Sequence, residues 1–466
     1  MDNDFDAELT DASTAPASAA PTTGHRTFLH VLVNTAIANI TTSYLWFALT
    51  FWVYLETKNV MATGFIGGAF MLLISVCAMI FGTAVDRHRK KAVLVFSAVF
   101  TAAMFSLAGL LYLWLPTASI LDIGGWQFWL FSGVILIGAI VEQMRNIALS
   151  TTVTLLVPVE RHANANGLVG TVQGAALIVT SVFSGLSIGL LGMGWTLSLA
   201  IILVLVTLTH LLTIRIPEKQ PEPEPGVSRS MDFRTGFAAI TAITGLLALI
   251  LFSMFNNFIG GVYMALMDPY GLEIMSVEAW GIAFGVASTG FIIGGLLVAR
   301  FGLGSNPIRT LLIAVMAMGA LGALFTIRES VWLFVLGTWL YMMLIPAAEA
   351  AEQTVIQRVV PYARQGRVFG FAQMLEAAAA PITAFLIAPF AQYLIIPYMR
   401  TEQGLDTFNW LLGGGGTRGI ALIFCVAGVI MVIVALLALA SRPYRELSAS
   451  FGSAKVNERT GQETDG

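Results

Sequence analysis

Five ionisable side chains stand where this chain can least accommodate them. Glu142 and Arg145 lie three residues apart in IVEQMRN, Glu349 and Glu352 lie three apart in PAAEAAEQ, and Glu376 follows Gln373 by three in FAQMLEA. Each segment is otherwise apolar over a length that suits a membrane-crossing helix, and a spacing of three puts each pair on one helix face. An ionisable group in mid-membrane costs about 2.5–3.5 kcal/mol on insertion scales, so it needs a partner or a task. Carboxyls in such places carry protons: a low-dielectric cavity disfavours the charged form, and a neighbouring arginine favours it. Two readings stay open. Glu142 and Arg145 form a satisfied ion pair inside a helical bundle, or Glu142 is released from Arg145 as the bundle moves and relays a proton. Glu349, Glu352 and Glu376 have no basic residue close in sequence within the membrane, which makes them the better proton carriers. Glu142 and Glu349 lead, because Arg358 and Pro361 place Glu352 nearer a helix end.

A second set could line a binding cavity. In NTAIANITTSYLWF, Asn39, Thr42 or Ser43, and Trp46 share a helix face; further on, Asn256, Gly260 and Tyr263 share another, with Asn257 adjacent. Amides, hydroxyls and aromatics, with adaptable methionines among the 19 present, suit a large amphipathic substrate. The same residue types also fill any membrane core.

The elements that position these residues follow from composition. Hydrophobic residues make up 57% and charged residues 11%, against about 45–50% and 25% in a soluble domain, which puts the chain in the membrane class. A net charge of −3 gives no electrostatic footprint for nucleic acid. Cys77 and Cys425 sit inside apolar runs at no metal-ligand spacing and read as small apolar fillers. There is no HExxH, no GxSxG with partners and no P-loop, and His25, His30, His88, His162 and His210 are scattered. An enzyme, a metal site and a cofactor are therefore not expected. Without an ATP site, a transporter would draw on an ion gradient or on the substrate gradient. Protons are favoured because carboxylates suffice, with sodium open.

Twelve runs reach the roughly 20 apolar residues a spanning helix needs: 28–54, 62–84, 92–115, 127–156, 165–191, 195–214, 239–266, 279–300, 307–327, 331–357, 368–396 and 417–440. An even number puts both termini on one side. Of 24 Lys and Arg, only Lys58, Arg328, Arg400 and Arg418 fall in segments on the far side and Arg145 falls within a span, leaving 19 on the side of the termini. By the positive-inside rule that side is cytoplasmic. The expected organisation is a disordered tail over 1–27, acidic and without the basic start of a signal peptide. A six-helix bundle over 28–214, a cytoplasmic linker over 215–238, a second bundle over 239–440 and a tail over 441–466 follow. The linker's Glu-Pro alternation favours extended chain, and 234–240 could open with a short interfacial helix.

The halves repeat. TLLVPVERHANANGLVG (154–170) and IQRVVPYARQGRVFGFA (356–372) pair Pro158 with Pro361, Arg161 with Arg364 and Gly167 with Gly370 at an offset of 203. At that offset Asn146 matches Glu349 and Gln173 matches Glu376. GTAVDR (82–87) pairs with GLLVAR (295–300), where Asp86 meets Ala299.

The run GTAVDRHRKK, with Gly82, Asp86, Arg87, Lys90 and Lys91, resembles the G-x-x-x-D-R-x-G-R-K signature of the major facilitator transporters, Arg89 standing in place of the second glycine. VDRHRKK, the LVP ending of 156–158 and the GRVF opening of 366–369 are similar to the macrolide-efflux subgroup of drug exporters. Helix 5, SVFSGLSIGLLG, departs from the G-P-x-x-G-G element of many drug/proton antiporters in having no proline. The resemblance implies an all-α membrane protein of twelve transmembrane helices in two six-helix repeats, without cofactor, in a plasma membrane. Its partners would be the lipid bilayer, protons and a small amphipathic substrate, with no nucleic acid. The implied activity is proton-coupled export of amphipathic drugs such as macrolides by alternating access. A carrier of a specific metabolite, siderophore or lipid is the alternative, and a non-transporting receptor or scaffold is an alternative of another class. Four basic residues explain themselves as a topology anchor; Asp86 does not. The resemblance implies that Asp86 docks on the N-terminus of helix 11, beside Arg364 and Arg367, and latches the cytoplasmic side. Asp86→Asn is accordingly expected to leave insertion intact and cut transport. A correctly inserted mutant with wild-type flux in a vesicle assay overturns that role.

Overall fold

The computed structural model describes residues 21–57, 60–218, 237, 240–413 and 417–452. Every regular element among them is helical, as a lipid setting demands, because only a helix satisfies its own backbone without water. Among the described residues, eleven continuous stretches are long and apolar enough to cross a bilayer, and one of them, Val159–Thr213, is two spans. Gly192 (φ +75°, ψ 175°) divides it; that conformation is open essentially to glycine alone, so two helices meet there without a loop. The twelve are α1 (Pro21–Thr57), α2 (Val60–Arg87), α3 (Lys90–Trp114), α4 (Trp126–Leu156), α5 and α6 (162–191 and 193–213), and α7 (Leu246–Ile274). They continue with α8 (Val277–Phe301), α9 (Pro307–Leu324), α10 (Val331–Val359), α11 (Tyr362–Tyr398, its last turns through a π-helical segment) and α12 (Arg418–Ala440).

The helices pack as two copies of one scheme. α1 lies along α5–α6, and α7 lies against α11; α3 packs on α4 and α6-containing chain, and α9 packs on α10 and α12. Between halves, α2 runs against α11 and α8 against α5–α6.

Several boundaries differ from the expected runs. α1 starts at Pro21 rather than 28. α7 spans Leu246–Ile274 rather than 239–266, because Gly245 at φ +84° turns the chain just before it. α4 is interrupted at Gln143, where the backbone switches to i→i+3 bonds (Gln143 N–H to Ile140 O, 3.0 Å; Asn146 N–H to Gln143 O, 3.1 Å). Apolar run length also missed the amphipathic helix Glu402–Leu412, capped by the Thr401 hydroxyl, and a helix over 442–452 that buries Leu447 and Phe451. Of the linker, 219–236 and 238–239 lie outside the described residues, so the interfacial helix expected over 234–240 does too, save Phe237 and Ile240. The tails 1–20 and 453–466 also lie outside.

Lipid gives helices no hydrophobic reason to associate, so close approach through small residues carries the packing. A Cβ on Gly82 would sit 2.2 Å from the Gly366 carbonyl oxygen, and one on Gly370 would sit 2.5 Å from Ala78 O. At the α5–α8 crossing, a Cβ on Gly167 would sit 2.4 Å from the Ala299 amide nitrogen and one on Gly295 2.4 Å from that of Thr171. Both crossings fall where α2 and α8 end and where α5 and α11 begin, so the halves are clamped at one end of the molecule. Gly82→Ala is therefore expected to force α2 off α11. Spin labels at His88 and Ala363 should then report a longer, broader distance than in wild type; an unchanged distribution contradicts the clamp.

Candidate functional site

At the clamped end Asp86 is 6% exposed, and its carboxylate docks on the opening turns of α11. Its two oxygens accept from the backbone N–H groups of Gly366 (2.6 Å) and Arg367 (2.9 Å), and Arg367 Nε lies 3.7 Å away. These amides belong to the second turn of α11, near the positive end of the helix dipole, and a carboxylate binds them through strong charge-assisted bonds. The glycine at 366 is what lets the carboxylate in: its added Cβ would lie 2.5 Å from Asp86 Oδ1. Arg87 and Arg364 are half-buried at the same end.

The basic run does more than face water. Lys90 is 1% exposed; its Nζ donates to Val85 O (2.9 Å), pairs with Glu218 (3.4 Å) and lies over the Tyr362 ring (4.7 Å). Glu218, at the start of the linker, also accepts from the Lys90 N–H (2.6 Å) and the Tyr362 hydroxyl (2.9 Å), so the linker joins the halves across the same seam. Lys91 donates to Leu212 O and Ile214 O (3.1 and 2.7 Å), capping the last carbonyls of α6. Behind these lies a neutral seal. Asn166 on α5 donates to Thr354 and Gln357 on α10 (2.9 and 2.8 Å), Gln357 donates to Ser150 O (2.9 Å), and Thr154 donates to Gln365 (2.8 Å).

Glu142 and Arg145 sit elsewhere, in the core of the first half. Arg145 Nε donates to Glu142 Oε1 at 2.5 Å, the 3₁₀ step at Gln143 bringing the two together. Ser97 and Thr101 on α3 donate to Glu142 Oε2 (2.6 and 3.1 Å), and Arg145 Nη1 donates to Asn34 Oδ1 (2.7 Å). Asn34 in turn donates to Thr207 O (2.8 Å) and lies 3.1 Å from His210 Nδ1. The network ties α1, α3, α4 and α6 together.

The other three carboxyls share a cavity of about 220 Å³ between the halves. α10 supplies Glu349 and Glu352, α11 supplies Gln373 and Glu376, and α7 supplies Ser253, Asn256 and Asn257. The first half contributes Asn146 and Ser150 from α4 and Gln173 from α5. Repeat-equivalent positions thus line one cavity, Asn146 with Glu349 and Gln173 with Glu376. Glu349 is exposed to the cavity, whereas Glu352 is 8% exposed and lies close to Glu376 and Ser253. The seal of Asn166, Thr354 and Gln357 separates the cavity from the Asp86 end.

Among the substrate-cavity candidates, Asn256 and Asn257 line this cavity. Asn39 stands one contact behind it, donating to Asn146 Oδ1 (2.7 Å). Thr42 turns back on its own helix to Ala38 O and Asn39 O (both 3.1 Å), and Trp46 stacks on Phe70 (4.7 Å between centroids). Tyr263 shares the sequence face of Asn256 but lies two turns on, 1% exposed among Phe325, Tyr341 and Phe424. Sequence reasoning missed Glu218, Tyr362, Asn166 and Gln357; their only signal was polarity near helix ends, which any solvated terminus shows.

Residues 31–384 match the Major Facilitator Superfamily, and the chain belongs to that family. It is a multi-pass membrane transport protein, not an enzyme. It is 23% identical to macrolide efflux protein A of Streptococcus pyogenes over 427 residues, covering 87% of this chain and 95% of that one. In fold it is similar to the human organic anion transporter MFSD10 (TM-score 0.64, 14% identity, 91% of this chain and 99% of that one). It is also similar to a bacterial homologue of the iron transporter ferroportin in its outward-facing state (TM-score 0.63, 14% identity, 89% and 100%).

Removing one partner of a buried ion pair strands the other charge, at a cost of about 3–5 kcal/mol. Arg145→Met is expected to lower the unfolding temperature of the purified protein well below wild type, while Glu142→Gln with Arg145→Met recovers part of the loss. A single mutant that melts with wild type shows that the pair does not hold the first half together.

Proposed function

We propose that this protein exports amphipathic compounds, macrolide-like molecules among them, in exchange for protons. The observation that carries the reading is the cavity between the halves, where Glu349, Glu352 and Glu376 gather with no Lys, Arg or His in the lining. Transporters of this architecture bind cargo near mid-membrane at the repeat interface and work by rocking one half against the other. The identity of the curated relative points to efflux and to macrolides as the first cargo to try.

The proton cycle follows from charge. Glu352 and Glu376 lie close together with no cation among the cavity's lining residues. Two carboxylates so placed repel unless a proton or a positive ligand stands between them. Protonation relieves the repulsion while the cavity faces the acidic side; opening to the other side releases the proton. Glu142, held by Arg145, Ser97 and Thr101, acts as a fixed brace of the first half in this scheme.

The gate is the Asp86 end. The excess of Lys and Arg makes it cytoplasmic, with both termini inside a plasma membrane. In the arrangement described, Asp86, Lys90 and Glu218 close that side. Arg367 and Tyr362 move with the second half, so rocking breaks their bonds to Asp86 and Glu218 together.

Reconstitution tests the reading. In proteoliposomes with an imposed pH gradient, wild type should drive macrolide flux that follows the gradient. Glu352→Gln and Glu376→Gln should uncouple it, leaving flux that no longer responds to pH. Wild-type flux indifferent to the gradient rules out proton exchange.

A further inference from the structure

The cavity is one-signed, and its unmet hydrogen bonds are one-sided. Apart from its three carboxyls, its polar lining is amide or hydroxyl: Asn146, Ser150 and Gln173 from the first half, Ser253, Asn256 and Asn257 from α7, Gln353 from α10 and Gln373 from α11. Glu352 Oε1, Glu376 Oε1 and Asn256 Oδ1 are buried acceptors without a partner. The Ser253 hydroxyl, itself unpartnered, can donate to one of them. A proton shared between the adjacent Glu352 and Glu376 closes one more gap; the acceptors left over invite a donor from a ligand, since buried polar atoms are rarely left unpaired.

We propose that the cavity seats a protonated amine, with Glu349 as its charge partner, so that the cargo is an amphipathic amine bound head first. This rests on the transporter reading above. An anion would meet up to three negative charges and no cation. A bound metal ion fits poorly, since among the described residues no group of three His, Cys, Asp or Glu is arranged to hold one. A quaternary ammonium brings charge but no N–H for the orphaned oxygens. A protonated amine brings both, and charge-assisted N–H···O bonds are the strong kind. Size fixes the orientation. The 220 Å³ available falls below the roughly 300–1,000 Å³ of pockets that enclose drug-sized ligands, so the cavity takes the amine-bearing end and not a whole macrocycle. Ile147, Leu311, Ile356 and Phe369 flank it and suit the amine's alkyl substituents.

The carboxyls then divide the work. Glu349 is exposed to the cavity and within a ligand's reach, whereas Glu352 is 8% exposed and adjoins Glu376. Glu349 holds the cargo's charge; the Glu352 and Glu376 pair holds the exchanged proton.

The test is ligand-observed NMR on the full chain in lipid nanodiscs with three small probes of one shape. N,N-dimethylbenzylamine is protonated at neutral pH, benzyltrimethylammonium is charged without an N–H, and benzyl methyl ether is neutral. The amine should bind about tenfold or more tighter than the ether, with the quaternary ion between them. In Glu349→Gln that ratio should fall towards one, and Glu349→Asp should restore part of it. An ether that binds wild type as tightly as the amine overturns the proposal without any variant having to fold; so does an amine preference that survives Glu349→Gln. The proteoliposome assay separates the two readings. Gradient-driven macrolide flux without amine preference sinks the amine site and keeps the transporter reading. Amine-selective binding lost in Glu349→Gln, without gradient-driven flux of any compound, does the reverse.

Discussion

Where α2 crosses α11, the two backbones come so close that no side chain fits between them. Gly82, Gly366 and Gly370 make that approach possible, and Asp86 completes it by accepting from the Gly366 and Arg367 amides near the positive end of α11. In lipid this contact cannot rest on the hydrophobic effect; it rests on dispersion between close backbones and on a carboxylate that replaces water. Lys90, Glu218 and Tyr362 add a second layer, and the amides of Asn166 and Gln357 a third. The cavity is closed from that end only because all three layers lie at the same end of the bundle.

The two halves share one helix arrangement but treat charge differently. In the first half Glu142 is matched by Arg145 and two hydroxyls, and the ion pair is internal to the bundle. In the second half no cation joins the carboxyls lining the cavity. Lining the same cavity at repeat-equivalent positions are the amides Asn146 and Gln173. Duplication accounts for the shared depth, and the amide-for-carboxyl difference leaves one wall neutral and the other acidic. An interface built this way can bind a cation or a proton without the opposite wall competing for it.

The end opposite Asp86 has its own buried charge. Arg418 is 1% exposed, donates to Leu412 O (2.6 Å) and pairs with Glu329 (3.2 Å), fastening the helix Glu402–Leu412 to the loop before α10. Burial opposes the charge on Glu329, but the Thr417 hydroxyl and the Arg418 guanidinium outweigh it and hold the carboxyl below its ordinary range. These bonds stay within the second half and brace it.

By itself the sequence determined the membrane class, the number of membrane-spanning helices, the repeat and the residues of the α2 signature, because those follow from run length, residue periodicity and local spacing. It also singled out all five intramembrane charges, since an ion in an apolar run is conspicuous. It could not say which charges meet. Glu142 and Arg145 pair through a local 3₁₀ step, while Glu349, Glu352 and Glu376 converge with Asn146 and Gln173 from more than a hundred residues away, and only packing of the halves decides that. Tyr263 shows the limit of face arguments: it lies on the same stripe as Asn256, yet two turns of rise carry it from the cavity into an aromatic core. Glu218 shows another: nothing in RIPEK distinguishes a solvated linker carboxylate from one that bridges Lys90 and Tyr362, because the partners come from different helices and only the fold brings them together.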